Sequence, residues 1–227
     1  MLKIKHYEVE TEILIFISYF GRTYPEVIGK TFYNTTQSAR NKISLMKKKG
    51  LIKYEISGIA IPKYAIVLPK RTKDMLIHLG YSPKVHRGNI GQLEHNMLEQ
   101  ICFYQLSKLG EVTRISVWHH KNMFHTVPDL ILKTQIHNIS IEVETKQKSS
   151  RVYKDIINRA SKDNFDRVLY VMPTKKLMIS IANIMPLWDK LFFIDTDTLI
   201  ENIKVHNKIK PYTQKQLLRE IETPPIP

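Results

Sequence analysis

Three acids and two lysines fall close together in the second half of this 227-residue chain. The stretch Ile139-Ser140-Ile141-Glu142-Val143-Glu144-Thr145 alternates apolar and polar residues. That is the period of a β-strand, so Ile139, Ile141 and Val143 point one way and Ser140, Glu142 and Glu144 the other. Two carboxylates on one strand face, beside an apolar core, repel each other and lose hydration. A cation between them relieves both costs, and a divalent metal is the economical choice. Val127-Pro128-Asp129-Leu130-Ile131-Leu132 reads as the preceding strand, joined through a short loop at Ile136-His137-Asn138. Asp129 can therefore converge on the same place, and a lysine follows at Lys146 or Lys148. This is the donor set of metal-assisted hydrolysis. Asp129, Glu142 and Glu144 would hold Mg2+ or Mn2+, and the metal would activate water and neutralise charge on a scissile phosphate. The lysine would stabilise developing negative charge or orient the water. Strict alternation puts Lys146 on the carboxylate face, whereas Lys148 arrives there across a bulge.

The composition agrees with such a substrate. Lysine plus arginine outnumber aspartate plus glutamate by 35 to 21, a formal charge of +14, which suits a polyanionic partner through counterion release. Hydrophobic residues are 43% and charged residues 25%, ordinary for a chain that buries real cores. The single cysteine, Cys102, lies in an apolar helical pattern, so neither a disulfide framework nor a cysteine zinc site can be built. The start, MLKIKHYEVETE, lacks the apolar run of a signal peptide. No apolar patch approaches the roughly 18 residues that a membrane helix needs. A cytoplasmic protein without a membrane partner is expected.

The elements that would deliver this chemistry to DNA come first in the chain. Ile13, Leu14, Phe16, Ile17 and Phe20 recur at helical spacing, predicting an amphipathic helix from about Glu8 to Phe20 that Gly21 closes. Thr23, Pro25 and Glu26 start a second, short helix carrying Val27 and Ile28 inward. Asn34 opens a third, with Gln37 three residues on as in a capping box. Ala39, Ile43 and Met46 line its inner face, and Gly50 ends it after Lys47-Lys48-Lys49. Leu51 to Ile56 and Ile59 to Val67 read as two strands about a Ser57-Gly58 turn, and Thr72 to Leu79 as a further helix. Three helices and a hairpin are the order of a winged helix-turn-helix. In that arrangement the third helix enters the major groove and the hairpin touches the backbone. Gln37, Arg40 and Asn41 are the candidates for base readout, and Lys42, Lys47 and Lys48 for phosphate contact.

The expected organisation is a winged helix-turn-helix over 1–80 and a glycine- and proline-rich linker over 81–92. A mixed sheet flanked by helices follows over 93–200, and a basic C-terminal helix or tail over 201–227. The fold class is α/β (α+β). Leu93, Met97, Leu98, Ile101 and Leu106 give the first helix of the second domain, stopped by Gly110. Strands are expected at Val112 to Trp118, Phe165 to Val171 and Leu191 to Ile194, with a helix at Lys175 to Met185. His119, His120 and His125 cluster between strands, but without regular ligand spacing they suit a polar loop near DNA better than zinc.

The string Pro128-Asp129, then Glu142-Val-Glu144, resembles the PD-(D/E)xK nuclease superfamily, whose fold is restriction-endonuclease-like. The longer run Glu142-Val-Glu144-Thr-Lys-Gln-Lys148-Ser149-Ser-Arg151-Val-Tyr153 is similar to the replication-relaxation family, which includes plasmid mobilisation relaxases of the MobC type. The likeness covers roughly residues 8 to 172, and His95 matches a histidine that this family carries on the first helix of the second domain. It implies Mg2+- or Mn2+-dependent nicking of double-stranded DNA at an origin of transfer or replication, alongside other mobilisation proteins. Carried over, the acids are Asp129, Glu142 and Glu144, the lysine is Lys148, and Arg151 contacts DNA. His95 would act from a supporting position or on a phosphate. Tyr153 and Tyr170 do not make a tyrosine relaxase, because the three-histidine metal motif of those enzymes is absent.

Two functional classes follow. One is a metal-dependent, sequence-specific DNA endonuclease acting as a nickase. The other is a non-catalytic DNA-binding regulator or relaxosome accessory protein on a degenerate nuclease fold. RNA binding would satisfy the charge but gains nothing from a winged helix.

Overall fold

The computed structural model describes residues 9–33, 35–57, 64–83, 92–114 and 125–222, the side chains of the last three excepted. The expected helix start at Asn34, the turn at Gly58 and the histidines His119 and His120 lie outside the described residues. The chain is mixed α/β and divides into two compact units, Met1–Ile101 and Cys102–Pro227. Among the described residues no helix is long and apolar enough to cross a membrane.

The first unit opens with α1 (Val9–Phe20), α2 (Pro25–Phe32) and α3 (Thr36–Lys48). Pro25 sits in the first turn of α2, where its missing N–H costs nothing and its fixed φ suits a helix. Gly29 permits the close approach of the next helix. A Cβ there would lie 3.0 Å from the Cα of Thr36, so any side chain would push α2 and α3 apart. The Thr35 hydroxyl caps α3 by accepting from the Ser38 N–H at 3.1 Å. At its other end Leu51 N–H reaches the Met46 carbonyl (3.0 Å) and Gly50 N–H that of Lys47 (2.9 Å). With Gly50 at φ 69° this is the Schellman arrangement that a glycine permits.

The strands β1 (Lys53–Ile56) and β2 (Tyr64–Val67) pair antiparallel, Tyr54 opposite Ile66. Thr23 bridges to Ile66 on the other edge of β2. Helix α4 (Lys70–His78) follows, and α5 (Leu93–Leu106) crosses the division between the units. The inner face expected for α3 is the one observed. Ala39, Ile43 and Met46 are fully buried with Ile13, Ile17, Ile28, Ile66 and Leu76 in one core.

Among its described residues the second unit forms a six-stranded sheet in the order β3-β4-β5-β6-β7-β8. Its strands are β3 (Glu111–Arg114), β4 (Leu130–Lys133), β5 (Asn138–Val143), β6 (Arg167–Met172), β7 (Leu191–Asp195) and β8 (Tyr212–Thr213). The first three pair antiparallel, β5, β6 and β7 pair parallel, and β8 returns antiparallel on β7. Helices α6 (Ser150–Ala160) and α7 (Lys175–Ile184) make the crossovers between parallel strands, and α8 (Thr196–His206) and α9 (Gln214–Glu222) flank β8. Tyr153 and Ile157 of α6, Met178 and Ile181 of α7 and Leu217 of α9 share a core with Val168, Tyr170 and Phe193. The stretch expected as a basic helix or tail over 201–227 holds the end of α8 and all of α9, and it also supplies an edge strand and a core residue, Leu217.

Candidate functional site

In the first unit the exposed face of α3 carries Gln37, Arg40, Asn41, Ser44, Lys47 and Lys48. Steps of three, four and seven residues place them along one side of a helix, opposite Ala39, Ile43 and Met46. Gln37 Nε2 donates to Asn41 Oδ1 at 3.1 Å. Arg40 stands 3.6 Å from Glu26 with its side chain 59% exposed, so the pair is weak and the guanidinium stays accessible. The Lys47 ammonium lies 4.4 Å from the Tyr54 ring centre, over the face of the hairpin's aromatic residue. Lys42 does not share this surface. It is half-buried and pairs with Glu10 at 2.7 Å, and Lys49 holds the same carboxylate at 2.9 Å. Those two hydrogen bonds keep the Glu10 carboxyl below its ordinary range. Of the six residues expected to meet DNA from α3, Lys42 alone is spent inside the fold.

In the second unit the acids gather where β5 ends. Asp129 precedes β4, and its Oδ2 accepts from the Val143 backbone N–H at 2.7 Å, which ties it to the neighbouring strand. Glu142 stands in register beside Tyr170 on the next strand, on the face that α6 and α7 cover. Glu144 prolongs the strand, its N–H donating to the Val171 carbonyl at 3.0 Å, and is only 7% exposed. The polar face of β5 is thus turned inward. Ser140 on that face is buried, and its hydroxyl donates to Glu142 Oε1 at 3.4 Å.

Burial and the charge of nearby Asp129 hold the Glu142 carboxyl well above the usual carboxylate range. Lys148 and the Ser140 hydroxyl pull it down, and Glu144 pushes it up again. Lys148 forms an ion pair with Glu144. Lys146 is exposed. The loop beyond Glu144 therefore brings Lys148, four residues on, back over the acids, and simple alternation does not describe it. Beneath lie two tyrosines. Tyr170 is buried, with its hydroxyl driven well above the ordinary value by burial first and then by Glu142 and Glu144. Tyr153 is pushed up to about 12 by burial, and its oxygen accepts the Lys148 backbone N–H at 3.1 Å.

The position is one that an open sheet favours, at the carboxyl ends of parallel strands. Among the described residues no group of three His, Cys, Asp or Glu side chains is arranged to hold a metal ion. Asp129 and Glu144 both raise the Glu142 carboxyl, but the three do not close a three-ligand cage. Arg151 is exposed in the first turn of α6, and His95 is half-buried in α5. Of the three histidines expected to cluster, His125 alone lies among the described residues. Its backbone N–H donates to Asp163 at 2.7 Å, and Thr126 donates to the same carboxylate at 2.9 Å. Asp163 anchors the run leading to Asp129, and nothing in the sequence marks it for that task. Tyr170 could have been found, because the alternation of β6 places it beside whatever faces inward from β5.

No family model, no curated protein and no solved structure matches this chain.

Proposed function

We propose that the chain binds double-stranded DNA through its first unit, as a winged helix-turn-helix. Its second unit, a restriction-endonuclease-like sheet, would then hydrolyse a phosphodiester with Mg2+ or Mn2+. The substrate follows from the resemblance already described, a plasmid origin of transfer or replication that the protein nicks beside other mobilisation proteins. The observation that carries the enzymatic half is Glu142. Its carboxyl stands beside Asp129 and Glu144 and is held well above the ordinary carboxylate range, by burial first and then by Asp129. Lys148, which draws it down, is already paired with Glu144, so further positive charge would favour its ionised form. A hard divalent cation meets that need, with Asp129 and Glu142 as its holders and Glu144 shared with Lys148. When bound, such a cation supplies an activated water and neutralises phosphate charge.

The rest belongs to the chain itself. Asp129 is fixed by the Val143 N–H, so its second oxygen has a defined direction. The paired Glu144 keeps the Lys148 ammonium at the site, where it can meet a phosphate oxygen. Exposed Lys47 and Lys48 hold the duplex while Gln37, Arg40 and Asn41 present their polar groups to base edges.

One observation favours a second reading, a non-catalytic DNA-binding regulator on a degenerate nuclease sheet. Glu144 already has its own lysine, and three acids do not form a cage. Relaxation of a supercoiled plasmid carrying the encoding element separates the two. With Mg2+ or Mn2+ the intact protein should nick it, and Asp129→Ala and Glu144→Ala should each slow nicking by about 100-fold. Intact protein that binds the plasmid and never relaxes it leaves the regulator.

A further inference from the structure

The loop joining β5 to α6 carries Lys148, and Gln147, Lys148 and Ser149 along it, with Ser150 at the start of α6, are all exposed. Little apolar burial fixes such a segment, so its path depends on hydrogen bonds. Three tie it down. The Ser180 hydroxyl donates to Gln147 Oε1, and the Ser150 hydroxyl to the Ile184 carbonyl at 2.9 Å. The third is the Lys148 N–H to the Tyr153 hydroxyl, at 3.1 Å. Only this last bond reaches the residue whose ammonium pairs with Glu144.

Tyr153 is well placed to hold something still. It is fully buried, and its ring meets Tyr170 edge-on with centres 6.5 Å apart. Packing alone would be served as well by phenylalanine. A phenolic oxygen taken out of water is costly unless it is bonded. Here the bond goes to the backbone of the lysine at the acid site.

We propose that Tyr153 is the positioning residue of this site, its hydroxyl fixing the backbone of Lys148 so that the ammonium stays over Glu144. The chemical consequence rests on the nuclease reading, whereas the placement does not. A lysine side chain that is 47% exposed would otherwise spread over many rotamers. The bond at its own N–H removes the backbone part of that freedom. Lys146, two residues earlier, pairs with no acid among the described residues.

Tyr153→Phe removes the hydroxyl and keeps the ring. In the intact protein the Lys148 amide should exchange with solvent at least tenfold more slowly than that of Lys146. In Tyr153→Phe its exchange should rise at least tenfold while the amides of β5 and β6 keep theirs. The 13Cε resonance of Lys148 should move toward that of a free lysine. Nicking should slow about tenfold at unchanged KM for plasmid, and Tyr153→Phe should add nothing to Lys148→Ala, since both remove one function. Unchanged exchange in Tyr153→Phe, or effects that multiply with Lys148→Ala, would overturn the assignment. Should the intact protein not nick at all, the nuclease reading fails and the exchange data still decide the placement. Should Tyr153→Phe not fold, the intact protein decides alone: a Lys148 amide as open as that of Lys146 refutes it.

Discussion

Two carboxyls, one in each unit, show opposite solutions to the same difficulty. Glu10 is one acid met by two lysines, Lys42 and Lys49, at 2.7 and 2.9 Å, and its carboxyl is held low. Glu142 is one acid beside two others, with a single lysine whose ammonium is engaged elsewhere, and its carboxyl is held high. The first unit pairs Glu10 twice over and carries Arg40, Lys47 and Lys48 on the exposed face of α3. The second gathers Asp129 and Glu144 about a Glu142 carboxyl that burial holds high, although Lys148 and the Ser140 hydroxyl draw it down. A carboxyl held high among other acids is the kind of group an active site keeps, which makes Glu142, and not Glu10, the candidate for chemistry.

The largest effect expected from this contrast lies beneath the acids. Tyr153→Ala empties a fully buried position and should lower stability by roughly 3–5 kcal/mol in urea unfolding. Exposed α3 positions such as Gln37 or Lys48 should change it by less than about 0.5 kcal/mol. Next come the surface cations. Arg40→Ala and Lys48→Ala should weaken duplex binding by roughly 1–3 kcal/mol each in fluorescence anisotropy, with Lys48→Ala also reducing the salt slope. Lys42→Ala should leave affinity nearly unchanged, because Glu10 already neutralises that lysine.

A smaller effect of opposite sign is expected at the acids. Glu142→Gln removes a carboxyl that burial and Asp129 hold high, and should raise stability by about 1 kcal/mol in chelator at pH 8, the scale of a single pKa unit. Smallest is Glu10→Gln. The folded carboxyl titrates below its unfolded value, so it contributes stability above about pH 4.5 that is lost as pH falls through the depressed folded value. The substitution should therefore cost about 0.5 kcal/mol at pH 7 and nothing near pH 2 in pH-dependent urea melts. An equal cost at both pH values would break the comparison on the side of the first unit.

The same two regions differ in how much of them could be read from the chain. Helix α3 was legible because its signals are local. Buried Ala39, Ile43 and Met46 follow the helical period, and Gly50 closes the helix as glycine does. What could not be read was Lys42 turning inward, since that needs Glu10, 32 positions earlier in sequence and one helix away in space. On the acid side the alternation of β5 set Ser140, Glu142 and Glu144 on the face opposite Ile139, Ile141 and Val143, and the hairpin with β4 placed Asp129 beside it. It did not show that both faces would be covered. The turn beyond Glu144 broke the period, so Lys148 and not Lys146 met the acid. Long-range partners were invisible as well. Tyr170 reaches Glu142 only through the parallel pairing of β5 with β6, and Asp163 only through the end of α6. The C-terminal edge strand was missed because two residues carry no period at all.

Calorimetric titration of Mn2+ into the intact protein and into Glu142→Gln tests the central claim most directly. The account predicts saturable binding to the intact protein and a Kd raised 10- to 100-fold in Glu142→Gln, the scale of losing a group that holds or supports a cation. Absence of binding to the intact protein, or equal binding to both, would contradict it.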